Sequence, residues 1–483
     1  MQSKAFSKDS NVVDFGAVSD GETLNTTAIQ KAIDQAFNDG GGRVLVPPGR
    51  FLTGSIILKT GVELNLAKMA TLLGSTAPSD YVRLNRWFAL VMADEANDIA
   101  ITGQGTIDGQ GSALALHIDS LFYAGQLDSS NYDLAEKRPL VTVRPQVIEF
   151  VNCNNVKVSS VTIRNSASWV QSYYMCVDVT IDKVRVESDS YWNNDGVDII
   201  DCQKVIISNC YVNASDDGVC IKSYGRHRHG SPFCDSIHIF NCTIRSSASA
   251  VKLGTASFGG FKNILIEKIE VFDTFRSAIA LESYGNGILE NVMVKDVNAV
   301  NTGNAIFIRL GRRNTSMVAG ILKDVTIKNL KAEIAFERPD YAYQIRGPAL
   351  PFFHNIFPSS ITGIPGYPVE NVTLEDIDIV YPGRGNKSYA YMPLSRLNDV
   401  PEQEDKYPEF SMFGELPAWG FYVRHVEGLK MKNVKVRIKD PDYRPAFVFD
   451  DVNKLFLNSV QAKGDEKSNP FILHNTENVE IVE

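Results

Sequence analysis

Residues 192–222 read WNNDGVDIIDCQKVIISNCYVNASDDGVCIK, with Asp195 in an Asn-Asp-Gly turn and the adjacent pair Asp216 and Asp217 further on. Carboxylates held close together cannot all ionise freely, so one keeps its proton toward neutral pH while another stays charged. That division suits an acid and a base in hydrolysis. The same residue types also build turns or ligate a hard cation such as calcium. The choice depends on whether the chain brings the two stretches side by side.

An eight-residue pattern, apolar-x-apolar-x-x-apolar-x-apolar, answers that question. It occurs as IAITGQGT from Ile99 in a looser form, then as VKVSSVTI from Val156, VTIDKVRV from Val179 and VIISNCYV from Val205. Further copies start at Ile237, Ile264, Val292, Val325, Val372, Leu429 and Leu455. Two short strands of period two around a polar bend cannot bury their apolar face alone. Stacked coil on coil they can, which predicts an all-β fold, a single-domain right-handed parallel β-helix. A leucine-rich solenoid would need a Leu/Asn framework and a helix per repeat, and the sequence has neither.

Each coil carries a further strand after a small residue: GVDII at Gly196, GVCIK at Gly218, AVKLG at Ala250, AIALE at Ala278 and AIFIR at Ala305. Aligning the inward Val197, Val219, Val251, Ile279 and Ile306 sets the outward columns. One column is Asp195, Asp217, Ser249, Ser277, Asn304. A second is Asp198, Cys220, Lys252, Ala280, Phe307, and a third is Ile200, Lys222, Gly254, Glu282, Arg309. Parallel neighbours lie about 4.8 Å apart, so Asp195 and Asp217 are expected to stack with Asp216 alongside.

The segment NTTAIQKAIDQAF has apolar residues at 28, 29, 32, 33, 36 and 37 behind Asn25 or Thr26. It predicts a short amphipathic helix capping the solenoid. The cap is expected over about 11–60 and the coils over about 61–483. Insertions near 108–147, 336–368 and 380–425, rich in aromatics, Pro and Arg, are expected to form the walls of a cleft.

The net charge of −9 is dispersed over 483 residues, which argues against nucleic acid or an anionic membrane as partner. An anionic substrate would have to be held by local Lys or Arg. No apolar run approaches a membrane span. The seven cysteines fall between Cys153 and Cys242 without paired metal spacing, which predicts buried thiols rather than disulfides or zinc. No cofactor or metal is expected, and the sequence is silent on oligomeric state.

The chain resembles the polygalacturonase-like glycoside hydrolases of family 28. The resemblance runs from DFGAVSDGETLNTTAIQKAI through GQGTIDGQG and RPQVIEFVNCNNVKVSSVTIRNSASW, and is sharpest in NNDGVDI and DDGVCIK. It implies hydrolysis of α-linked glycosides of pectin with inversion and without a metal. Asp216 would be the general acid, with Asp195 and Asp217 positioning and activating water. Asn193 would contact substrate, and Lys222 would support the aspartates.

Two family features are missing. Register places Ser249 where the family has a histidine, and Ala280, Leu281 and Glu282 where it has an Arg-Ile-Lys clamp for a galacturonate carboxylate. Lys252 and Arg309, one coil away on either side, either hold a uronate in a shifted subsite or neutralise Glu282 in a subsite for a neutral sugar. His227 or His229, in the loop YGRHRHG, is expected to stand in for the histidine, and Arg226 or Arg228 to meet an acidic sugar. The resulting expectation is an exo-acting hydrolase of galacturonan or rhamnogalacturonan, secreted or periplasmic after loss of a signal segment, or else intracellular. A calcium-dependent uronate lyase and a non-catalytic carbohydrate-binding β-helix are the competing classes.

Overall fold

The computed structural model describes residues 9–226, 233–347, 355–464 and 470–482. The chain forms two compact units, residues 1–219 with 343–345, and residues 220–342 with 346–483. Both are built of parallel strands stacked in register, as the repeat predicts.

In the first unit one inward ladder runs Val44, Leu64, Ile101, Val158, Ile181, Ile207, each paired with the next. A second runs Leu72, Ile107, Ile163, Val186, Val212. All of these side chains are fully buried. In the second unit the equivalent ladder runs Ile239, Ile266, Val294, Ile327, Leu374, Met431, Leu457. It ends at Ile481, which is 56% exposed because no described coil follows it. The driving force is burial of a continuous apolar interior, about 25 cal/mol per Å² removed from water.

The polar bend inside the repeat has a single cause. In all ten copies from Val156 onward, the second of the two bend residues takes a left-handed backbone, as at Ser160 (φ 64°), Lys183 (56°), Asn209 (55°), Asp296 (57°) and Asn433 (50°). One such residue turns the chain enough to start the next strand, and Asn and Asp tolerate it best. Their side chains then bond from coil to coil, Asn209 to Asp182 at 2.6 Å and Asn433 to Asp376 at 2.8 Å.

The expected cap is helix α1, Thr26–Asn38, which buries Ile29, Ala32, Ile33 and Ala36. The first insertion contains a second helix that sequence reasoning did not foresee, α2, Gly111–Tyr123, with Leu114, Ala115 and Ile118 buried. Phe122 at its end stacks on Tyr132 at 3.8 Å. The insertion at 380–425 does not stand beside the strands of its unit but lies across them. Its Leu397, Val400, Phe410, Met412, Phe413 and Leu416 pack on Ala280, Tyr284, Phe307 and Val448. All seven cysteines are buried free thiols, as expected. No described helix is long and apolar enough to cross a membrane.

Candidate active site

The Asn-Asp-Gly turn is assembled by residues tied to the neighbouring coils. Asn193 takes the left-handed backbone, φ 58°. Asn194 is fully buried; its amide donates to the Ser168 carbonyl at 2.8 Å and its oxygen accepts from Ser188 at 2.7 Å. Gly196 cannot carry a side chain, since a Cβ would sit 2.4 Å from the Val212 side chain and 2.6 Å from the Gly218 carbonyl. That closeness lets the Gly196 N–H donate to the Asp217 carbonyl at 2.9 Å and the Val197 N–H to Gly218 at 3.0 Å.

The two turns are therefore locked one above the other, as the columns predict. Carboxylate oxygens of Asp195 and Asp217 come within 4.8 Å of each other, and each residue is only 4% exposed. Asp216 is half-buried beside them. Its carboxylate accepts the Asp217 N–H at 3.0 Å on one oxygen and the Asn193 amide at 3.3 Å on the other. Asn193, expected to contact substrate, thus has a protein partner on the aspartate itself.

Behind Asn193 stands Arg144, which sequence reasoning missed. It is 1% exposed, and it donates to Asn193 Oδ1 at 2.7 Å. Burial lowers its guanidinium to about 10, with Tyr191, Asp119 and Asp216 acting the other way, so it remains a cation at neutral pH.

The coil before Asp195 carries an aromatic surface. Val170 donates its N–H to the Asp195 carbonyl at 2.8 Å, and the preceding Trp169 ring is half-buried, 5.2 Å from the Trp87 ring. The Arg86 guanidinium lies 4.3 Å from the Tyr174 ring. Glu149, Ser172 and Asp198 share one column on this face. Burial pushes the Glu149 carboxyl up to about 7, against the pull of Arg86 and an N–H from Trp87.

The remaining candidates belong to the second unit. Lys222 is buried, at 9% exposure. Lys252 and Glu282, 2% and 1% exposed, face each other at 3.9 Å. Tyr407 of the insertion covers them, its hydroxyl 3.0 Å from Lys252 Nζ, and Thr255 donates to Glu282 at 3.0 Å. Lys252 thus faces Glu282 beneath the insertion. Arg309 corrects the expectation of substrate binding: the insertion roofs its column. Its guanidinium donates to Tyr284 at 3.2 Å and to the carbonyls of Gly363 and Glu402 at 2.6 Å each. It fastens the roof and, at 1% exposure, presents no charge to a sugar. Ser249 and Ala280 are buried as well. His227 and His229 lie outside the described residues.

The model of glycosyl hydrolases family 28 matches residues 41–347. A probable polygalacturonase of Vitis vinifera is 27% identical over 341 residues, covering 66% of this chain and 61% of that protein. An exo-poly-alpha-D-galacturonosidase of Dickeya chrysanthemi is 28% identical over 304 residues, covering 53% of this chain and 49% of that protein. The chain thus spans between about half and three-fifths of these relatives' lengths. The solved family 28 exopolygalacturonase of Yersinia enterocolitica shares the fold, with a TM-score of 0.65 and 20% identity over 98% of this chain and 78% of that one. The match covers well over half of the sequence, including the turns that hold all three aspartates, and the chain belongs to the glycosyl hydrolases family 28.

Proposed function

We propose that this protein is an inverting glycoside hydrolase that removes sugars from the ends of pectic chains, galacturonan or rhamnogalacturonan, outside the cytoplasm. The observation that carries the reading is the stacked pair Asp195 and Asp217 with Asp216 held alongside by Asn193, in a chain of this family. Asp216 protonates the glycosidic oxygen; Asp195 and Asp217 hold the water that attacks from the opposite face. Inversion needs about 6.5–9.5 Å between acid and base to admit that water. Trp169, one coil before Asp195, offers a ring face for a sugar. The likeness to an exo-poly-alpha-D-galacturonosidase favours exo action. The Lys252–Glu282 pair consumes its own charge, which favours a neutral sugar or a differently placed cation at that position.

The test is digestion of polygalacturonate and rhamnogalacturonan oligosaccharides by the wild type and Asp216→Asn, with proton resonance reading the anomer first released. Inverted monosaccharide from the wild type and loss of turnover with binding retained in the variant are expected. Retained configuration, or a fall in viscosity before monosaccharide appears, would refute the proposal. One observation favours a second reading: two carboxylates within 4.8 Å are also suited to calcium, as a lyase would require. Unsaturated products absorbing in the ultraviolet, with chelator-sensitive turnover, would establish that alternative.

A further inference from the structure

We propose that Arg144 is the positioning residue of the acid: through Asn193 it fixes the orientation from which Asp216 delivers its proton. The inference rests on the reading of Asp216 given above. Its basis is how the guanidinium spends its donors. Nε donates to the Pro139 carbonyl at 3.0 Å; Nη1 donates to the carbonyls of Ala167 at 2.6 Å and Trp192 at 2.8 Å. Ala167 and Trp192 lie just ahead of the strands Gln171–Tyr174 and Val197–Ile200, so one planar group ties two successive connections together. The Tyr191 ring lies 5.2 Å from it. A purely structural arginine would need no more than these carbonyls.

The remaining bond differs in kind. Nη2 donates to the side-chain oxygen of Asn193, which settles which way the carboxamide faces. With its oxygen held by Arg144, the amide nitrogen is left facing Asp216, where it donates at 3.3 Å. Asn193 cannot flip without setting its NH2 against a cation and its oxygen against a carboxylate. The relay also places a buried positive charge one side chain behind the acid, and a nearby cation favours the ionised carboxylate. A lysine cannot replace the fork, since one ammonium on a flexible stem does not span the three carbonyls and the amide.

The experiment measures kcat and KM on polygalacturonate or rhamnogalacturonan oligosaccharides across pH for Arg144→Lys, Asn193→Ala, the double variant and Asp216→Asn. Arg144→Lys and Asn193→Ala are each expected to lower kcat at least about tenfold with KM nearly unchanged, a part of the roughly 10²–10⁴-fold that general acid catalysis supplies. In both, the basic limb of the kcat profile moves to higher pH, because the Asn193 amide is no longer held toward the ionised acid. Arg144→Lys adds little further loss in the Asn193→Ala background, since both act on one path. Additive losses in the double variant would overturn the proposal. So would a lower melting temperature in Arg144→Lys with wild-type kcat and an unmoved limb, which is the signature of a structural role. Asn193 is half-buried with φ 58°, so Asn193→Gly, which keeps that backbone at no steric cost, keeps the test available where Arg144→Lys or Asn193→Ala folds poorly. Asp216→Asn separates the two readings. If it retains turnover, the acid assignment falls; if it is inactive while the other variants behave as wild type, only the role of Arg144 falls.

Discussion

Replacing Lys252 by Met is expected to destabilise the second unit by about 3–5 kcal/mol, the usual cost of breaking a buried ion pair by removing one partner. The two charges face each other at 3.9 Å, both almost fully buried. At an effective dielectric near 20, that separation corresponds to an attraction of about 4 kcal/mol. Met retains the length and apolar stem of Lys but removes the cation, so Glu282 loses the charge opposite it. Glu282→Gln should cost a similar amount by removing the charge opposite Lys252. The double variant Lys252→Met with Glu282→Gln should recover to within about 1–2 kcal/mol of wild type, because paired removal leaves no orphan charge. Urea denaturation followed by tryptophan fluorescence measures this as a fall in midpoint at constant slope. The same variants report on function: KM should stay at its wild-type value in the double variant, since the pair, on the outward face of its strands, lies beneath Tyr407 of the insertion. A single-variant cost below about 1 kcal/mol would refute the electrostatic argument, and a double variant as unstable as the singles would refute the pairing. A several-fold rise in KM would return Lys252 to the substrate.

Gly196→Ala is expected to cost about 1–3 kcal/mol through overpacking and to lower kcat, because a methyl group 2.4 Å from Val212 must push the Asp195 turn away from Asp217; a denaturation midpoint and a kcat both at wild-type values would contradict this. The second unit should show a pH-dependent clamp at His425, bonded to Glu402 at 3.0 Å and Asp451 at 2.5 Å. Burial opposes the charge on His425, but the two carboxylates outweigh it and raise the imidazole above 6.5. Burial likewise raises Glu402, while His425, Arg424 and Arg309 outweigh it and hold the carboxyl below 4.5. The raised His425 contributes fully below its unfolded pKa, and that contribution is lost as pH rises through the folded value. The lowered Glu402 contributes above its unfolded pKa and loses this as pH falls through its folded value. The stability difference between wild type and His425→Gln should therefore peak between 4.5 and 6.5, and a difference independent of pH in urea melts would exclude the clamp. Trp169→Ala should raise KM by about three- to tenfold with a smaller change in kcat, as loss of one ring contact implies; an unchanged KM would remove the ring from the sugar's path.

The columns were legible because period-two burial leaves each coil no choice of register. Lys252 opposite Ala280, Ser277 opposite Asn304 and Glu282 opposite Arg309 all follow from the inward Val251, Ile279 and Ile306. The stacking of Asp195 on Asp217 came from the same rule. What escaped were contacts made to main-chain oxygen. Arg144 and Arg309 both spend their guanidinium groups largely on carbonyls of distant segments, and a carbonyl leaves no mark in a sequence. Arg144 gave one signal, a cation set before Pro145 and the wholly buried strand Gln146–Val151. Helix α2 was hidden because its apolar spacing falls inside a segment whose length and aromatics suggested irregular wall. The roof was hidden because its buried residues, Leu397, Phe410 and Leu416 among them, follow no period.

The left-handed bend has a consequence for how such a chain can change. A turn made by one residue has no length to vary, and in the ten copies from Val156 none has been lengthened. The three large insertions enter instead after the strands Thr106–Asp108, Ile321–Ile334 and Val369–Tyr381. Each of these is the far end of the repeat, where the chain leaves one coil for the next. Each coil from Val156 onward thus has one closed corner, and sequence of any length can be spliced where the chain leaves a coil without disturbing the ladders. Specificity can then be altered by exchanging inserts between coils and relatives, with the bends serving as fixed rulers that keep the aspartates in line.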